Sequence, residues 1–214
     1  VDLEEASVEV QVDGTYSAAG GNKKLTGSAK AKLLTPIDLG EIGGYGFTVM
    51  PSKGFNAELT MTEQGIDEIK GELQVDVAKG SKFMELLGKV KYKRTDEKVT
   101  TEAVISAKVT RTQEIYKNQG KSVDICEGSQ ASAALDLQGL KRIECKGTEL
   151  VFHDDGPLLG LKLNGSWERK GEGGTVSGEA QAKILRRVNV TTAAPEGYQI
   201  FVEKSEDFAA KCTF

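Results

Sequence analysis

The chain has 214 residues, 38% apolar and 28% charged, which is long enough to bury a core and is neither a membrane-helix nor a disordered composition. A net charge of −4 argues against nucleic acid as a partner, because phosphate binding needs a basic face. No apolar run approaches the ~18 residues of a membrane helix. The first residues, Val1-Asp2-Leu3-Glu4-Glu5, carry neither a start Met nor a signal peptide's apolar stretch, and read as a processed, non-cytosolic mature form.

Residues 7–12 alternate, with Val8, Val10 and Val12 against Glu9 and Gln11, the period of a half-buried strand. Asp13-Gly14 and Gly20-Gly21-Asn22 are turn signals. Residues 25–34 form the next strand, with Gly27, Ala29, Ala31 and Leu33 on one face and Ser28, Lys30 and Lys32 on the other. Residues 36–46 break the beat and read as irregular. Strands follow at 55–61 and 69–77, with a turn at Gln64-Gly65. Residues 81–87 fit either one helical turn capped by Ser81 or the start of another strand. A hairpin over 88–94 and 99–110 turns at Thr95-Asp96-Glu97. Residues 114–120 are polar and read as a loop. A second hairpin, 131–137 with 140–152, turns at Gln138-Gly139. Strands at 159–167, 175–187 and 198–202 complete the set, and residues 206–210 could form a helical turn.

The pattern predicts one all-β domain over 1–214, an antiparallel up-and-down β-barrel of about ten strands with few or no helices and its apolar face inward. A meander left open has two exposed edges, which closure removes. One hairpin occurs twice. Asp13-Gly-Thr-Tyr16 with Leu25-Thr-Gly27-Ser-Ala29-Lys-Ala31-Lys returns as Asn164-Gly-Ser-Trp167 with Val176-Ser-Gly178-Glu-Ala180-Gln-Ala182-Lys, at a constant offset of 151 residues. In a closed meander these copies would flank the seam.

Residues with chemistry are few. The one histidine, His153, sits in His153-Asp154-Asp155-Gly156, which reads as a polar turn more readily than as part of a metal site. No nucleophile, phosphate-loop or dinucleotide motif is present, so the chain is read as non-enzymatic and without a cofactor or metal. Cys126 and Cys145 are a possible disulfide pair, although folding about Gln138 sets Cys126 opposite Leu150. Cys145 with Cys212, or no disulfide, is equally open. Asn164-Gly-Ser and Asn189-Val-Thr match the glycosylation sequon. Gly44-Tyr45-Gly46 resembles the self-cyclising tripeptide of the fluorescent proteins, which would make the chain a chromoprotein. Lys89, Lys91 and Lys93 share one strand face and form a candidate docking stripe for an acidic partner. The small residues Gly27, Ala29, Ala31, Gly178, Ala180 and Ala182 would leave room inside a barrel for a small apolar ligand, the function of a secreted binding module.

The segment Ile66-Asp67-Glu68-Ile69-Lys-Gly71, followed by Val75 and by Phe83-Met-Glu85 and Gly88, resembles the manganese-stabilising extrinsic protein family of photosystem II (PsbO). Gly27-Ser-Ala-Lys-Ala31, Phe47-Thr-Val-Met-Pro51-Ser-Lys-Gly-Phe55 and Glu97-Lys-Val99 follow that family's order, so the resemblance covers roughly 27–109. Leu34 and Thr48 stand near the positions of the family's N-terminal cysteines, and its Arg-rich docking loop has no counterpart. The resemblance implies an acidic barrel in the thylakoid lumen that docks on the photosystem II core, neither spanning the membrane nor binding the metal itself.

Overall fold

A computed structural model describes residues 8–19, 22–52, 54, 56–95, 98–171, 173–190, 197–208 and 210–213. The expected features at Ser7, Gly20-Gly21, Phe55, Asp96-Glu97, Thr191 and Ala209 lie outside the described residues. Among the described residues every regular element is a strand, so none is a helix long and apolar enough to cross a membrane.

The chain divides into two compact units, Val1–Ala107 with Ser132–Arg142, and Lys108–Ala131 with Ile143–Phe214. The first holds β1 (Val8–Ala19), β2 (Asn22–Leu33), β3 (Ile37–Ile42), β4 (Tyr45–Met50), β5 (Ala57–Thr62), β6 (Gly65–Lys79), β7 (Ser81–Arg94), and most of β8 (Val99–Val109) and β11 (Gln130–Asp136). Its hydrogen-bonded order is β1-β2-β5-β6-β7-β8-β11, with β4 pairing β3 and β6. The second holds β9 (Gln113–Asn118), β10 (Lys121–Ile125), most of β12 (Gly139–Asp154), β13 (Pro157–Lys170), β14 (Gly173–Ile184), β15 (Val188–Asn189), β16 (Phe201–Val202) and β17 (Ala210–Thr213). Its order is β12-β13-β14-β17, with β10 between β12 and β9, and β15 pairing β16. Every pairing whose register is resolved is antiparallel.

The antiparallel all-β architecture stands, and the closed barrel does not. Among the described residues β1 pairs only with β2 and β17 only with β14, so the order is open at both ends. Fifteen strands join this sheet rather than about ten. Alternation assigns faces to a strand but says nothing about closure, which depends on strand tilt and on matching end strands. Here a twelve-residue strand stands at one end and a four-residue strand at the other. The stretch 36–46 is not irregular. It is the β3–β4 hairpin, in which Gly43 and Gly44 adopt φ of 61° and 81°, as a two-residue type I′ turn requires. The loop expected at 114–120 is mostly β9, residues 81–87 are strand, and Glu206 and Asp207 lie in a bend rather than a helix.

The repeated hairpin belongs to a longer period. β2 pairs β5 across the inserted hairpin β3–β4, and β4 pairs β6. β8 pairs β11 across β9–β10, and β10 pairs β12. β14 pairs β17 across β15–β16. Sequence follows topology: Ala31-Lys32-Leu33, Ala107-Lys108-Val109 and Ala182-Lys183-Ile184 recur at offsets of 76 and 75 residues. Gln64-Gly65-Ile66 returns as Gln138-Gly139-Leu140, with Gly65 and Gly139 both at positive φ. The Gly43-Gly44 turn returns 76 residues later as Gln119-Gly120, again with both φ positive. The two obvious copies are thus the first and third members of a series, a tandem array of strand units.

Few side chains are fully enclosed. Among the described residues the buried apolar ones are Leu33, Val49, Val77 and Phe83 in the first unit and Val109 in the second. Beside Val109, the buried Ser129 hydroxyl accepts the Glu149 N–H at 3.0 Å.

Candidate functional site

The β6–β7 register sets Ile69, Gly71, Leu73, Val75 and Val77 opposite Tyr92, Val90, Gly88, Leu86 and Met84 on one face. The β2–β5 and β1–β2 registers extend that face through Leu59, Met61, Ala29 and Ala31 to Val8, Val10 and Val12. The face is apolar as expected, but it is not enclosed. Leu73 and Val90 are 42% and 43% exposed, and Val12 reaches 72%. Glycines shape a cleft in it. Gly71 carries no side chain where Val90 leans over, since a Cβ there would meet Val90 Cγ1 at 3.0 Å. Ala57, Gly71, Leu73, Gly88, Val90 and Val104 line an open cleft of ≈ 350 Å³. In the sequence Gly71 falls within the strand expected at 69–77 and Gly88 at the boundary between 81–87 and the strand expected at 88–94. Glycine inside a strand is the signal that pointed to a depression.

The opposite face carries the charges. Lys89, Lys91 and Lys93 do lie together there, opposite Glu72, Lys70 and Glu68. Lys89 pairs with Glu72 at 2.8 Å and Lys70 with Glu68 at 2.8 Å. The hydrogen bond from Lys70 holds the Glu68 carboxyl below its ordinary value, with Lys91 and Lys93 adding to that effect. The ladder continues through Lys30–Glu58 at 3.7 Å and Lys32–Glu9 at 2.8 Å. Lys82 bridges Asp76 at 2.8 Å and Glu85 at 2.7 Å, and both hydrogen bonds raise its pKa. The lysine stripe is therefore one rail of a mixed-charge lattice rather than an isolated basic patch.

In the second unit His153 lies one residue before the end of β12, and the turn proper is Asp155-Gly156, both at positive φ. His153 Nε2 lies 3.0 Å from Asp124 Oδ2 on β10. Among the described residues no group of three or more His, Cys, Asp or Glu side chains is arranged to hold a metal. Asn164 Oδ1 accepts the Gly147 N–H at 2.6 Å, so this sequon asparagine is engaged within the sheet.

Cys126, Cys145 and Cys212 are all free thiols. The Cys126–Cys145 bridge is not formed, because Cys126 N–H bonds Glu149 O at 2.9 Å beside the Ile125–Leu150 pair. Burial pushes the Cys126 thiol up, and the charges of Glu149 and Asp124 add to that. Only the thiolate attacks a disulfide reagent. Titration of the native protein with such a reagent is expected to label the exposed Cys212 first and Cys126 last. Equal rates would refute the burial of Cys126.

Tyr45 opens β4 opposite Ile42, immediately after the Gly43-Gly44 turn. Its ring stands 5.9 Å from Phe83 and under Lys79 at 5.4 Å. The tripeptide is thus part of a paired hairpin on an open sheet rather than a bend enclosed by a barrel.

No protein-family model matches the chain, and no curated protein or solved structure does so either.

Proposed function

We propose that the chain is a non-enzymatic sheet protein that docks on a larger protein complex through the apolar face of its first unit. The observation that carries this is the exposed cleft around Gly71 and Gly88, bordered by Leu73 and Val90. Contiguous apolar surface of this kind marks interaction sites in folded proteins. A depression lined by Leu73, Val90, Val104 and Ile105 together with Asn56, Glu72 and Lys89 suits an anchoring residue from a partner. The mixed-charge face, with Lys89, Lys91 and Lys93, stays hydrated and acts on the encounter only through its field. The same cleft supports a second reading, a small apolar ligand, which would bind with the same residues.

In its named form, a PsbO-like lumenal subunit, the reading rests on the resemblance over 27–109. Photosystem II cores stripped of their extrinsic subunits are expected to bind the protein saturably. Leu73→Glu with Val90→Glu should abolish that binding while leaving the circular dichroism spectrum intact. Replacing Lys89, Lys91 and Lys93 together with Glu should mainly slow association. Absence of binding to the cores rejects the PsbO-like form. Binding to phosphatidylcholine vesicles that the same double variant removes would replace the protein partner with a lipid surface.

A further inference from the structure

The tandem order shows what belongs beside β1. The first strand of the second series member, β7, is flanked by β6, and that of the third, β13, is flanked by β12. The corresponding strand of the first member, β1, has no such neighbour among the described residues. We infer that the free edge of β1 is an acceptor site for one added antiparallel strand, with aliphatic residues alternating with basic ones. This edge is distinct from the cleft on the sheet face.

The edge lacks the usual protection. Natural edge strands are kept short, or carry Lys, Pro or a bulge, to prevent unwanted pairing. The twelve residues of β1 include no Lys, Arg or Pro, and they pair with β2 without a register shift. The opposite end of the order, β17, is four residues long and includes Lys211. Alternate residues of β1 direct their N–H and C=O groups away from β2, which leaves a ready-made ladder. Val8, Val10, Val12 and Tyr16 are 54–72% exposed, as expected of side chains with a cross-strand neighbour on the β2 side alone.

The internal template supplies the register and the chemistry. Offset by 76 residues, the spacing of the recurring turns, Val8, Val10 and Val12 correspond to Met84, Leu86 and Gly88 of β7. Those residues face Val77, Val75 and Leu73 of β6. An added strand would therefore set aliphatic side chains against Val8, Val10 and Val12. Its intervening residues would face Glu9 and Asp13. In β7 the residue matching Asp13 is Lys89, which pairs with Glu72 at 2.8 Å. With Asp13 at that place the charge is reversed, so the incoming strand needs a basic residue where β6 has Glu72. Like charges directly opposite destabilise a strand pair.

The test uses labelled peptides of sequence 69–77 and the intact protein, read by fluorescence anisotropy. A peptide carrying Glu72→Lys and Asp76→Lys should bind saturably and protect the outward amides of β1 from hydrogen exchange. The unaltered 69–77 peptide should bind about tenfold more weakly. Asp13→Lys in the protein should cancel that preference, because the basic peptide then keeps its favourable pair at Glu9 and loses the one at position 13. Asp13 bonds only Gln11 Nε2 at 3.0 Å, a contact between exposed side chains, so the variant should fold. No saturable binding, protection elsewhere than β1, or a preference that Asp13→Lys leaves unchanged overturns the inference. Self-association that the basic peptide cannot disperse would assign the edge to a second copy and overturn it as well.

Discussion

Phe83→Ala is expected to destabilise the first unit by about 3–5 kcal/mol, the range for removing a buried aromatic ring. Phe83 is 3% exposed, in a chain with very few enclosed apolar side chains. A β-bulge places it there. Val77 faces Met84 and Ala78 faces Lys82, which leaves Phe83 without an opposite residue and turns its ring out of the regular alternation. The ring then stands 5.9 Å from Tyr45, so truncation removes both buried area and an aromatic contact. Urea unfolding followed by circular dichroism measures the loss. Ile105→Ala, at a side chain 51% exposed, should cost much less. A loss at Phe83 below about 1 kcal/mol would show that the ring is not the centre of this small core.

The second large effect separates two glycines that hold the same place in the repeated hairpin. Gly27 pairs with Gly14, and Gly178 pairs with Gly165. At Gly178 a Cβ would lie 2.6 Å from Gly165 Cα and press on the Asn164 carbonyl oxygen. Those are backbone atoms and cannot rotate away. At Gly27 the nearest atom is Met61 Cγ at 3.4 Å, on a flexible side chain. Gly178→Ala should therefore destabilise by about 1–3 kcal/mol through overpacking. Gly27→Ala should be close to neutral, because relief of glycine's chain entropy, about 0.5–1 kcal/mol, offsets a mild contact. Neither position has a left-handed φ, so the difference is one of space alone. Equal denaturant midpoints for the two variants would refute the close approach at Gly165.

The same hairpin shows what could be read from the chain. Val8-Glu-Val-Gln-Val and Leu25 to Leu33 display their faces in sequence, because side chains alternate with a period of two. Alternation also identified most of β6 and the β13–β14 hairpin, and the turn expected at Gln138-Gly139 falls one residue earlier, at Leu137-Gln138. Glycines misled at β3–β4: Gly40, Gly43, Gly44 and Gly46 looked like a breakdown of structure. They are a bulge position and a mirror-image turn, and paired glycines between apolar stretches are a hairpin signal. Closure was illegible for another reason. An apolar face gives the same pattern whether it turns inward against a second layer or lies open, as around Leu73 and Val90. The cleft escaped notice because it depends on Gly71 and Gly88 being brought together by the β6–β7 register, which sets Gly88 opposite Leu73 and Gly71 opposite Val90. The second hairpin of the series, β7–β8, was hidden because Lys89 and Val90 fill the places held by Asp13-Gly14 and Asn164-Gly165. Only its Ala107-Lys108-Val109 end keeps the shared pattern.

The serial order of strands governs how such a chain gains and loses structure. Many strands are held by the next strand in sequence: β1 by β2, β6 by β5 and β7, β13 by β14. Loops between such partners are short and inexpensive to close. Assembly can begin at any tight hairpin and propagate outward, without a distant segment arriving first. Loss follows the same path in reverse. Terminal strands with one partner detach before interior ones, so opening is graded along the array rather than all-or-none. A point change then acts over a range of a hairpin or two, and damage at one end leaves the far end folded.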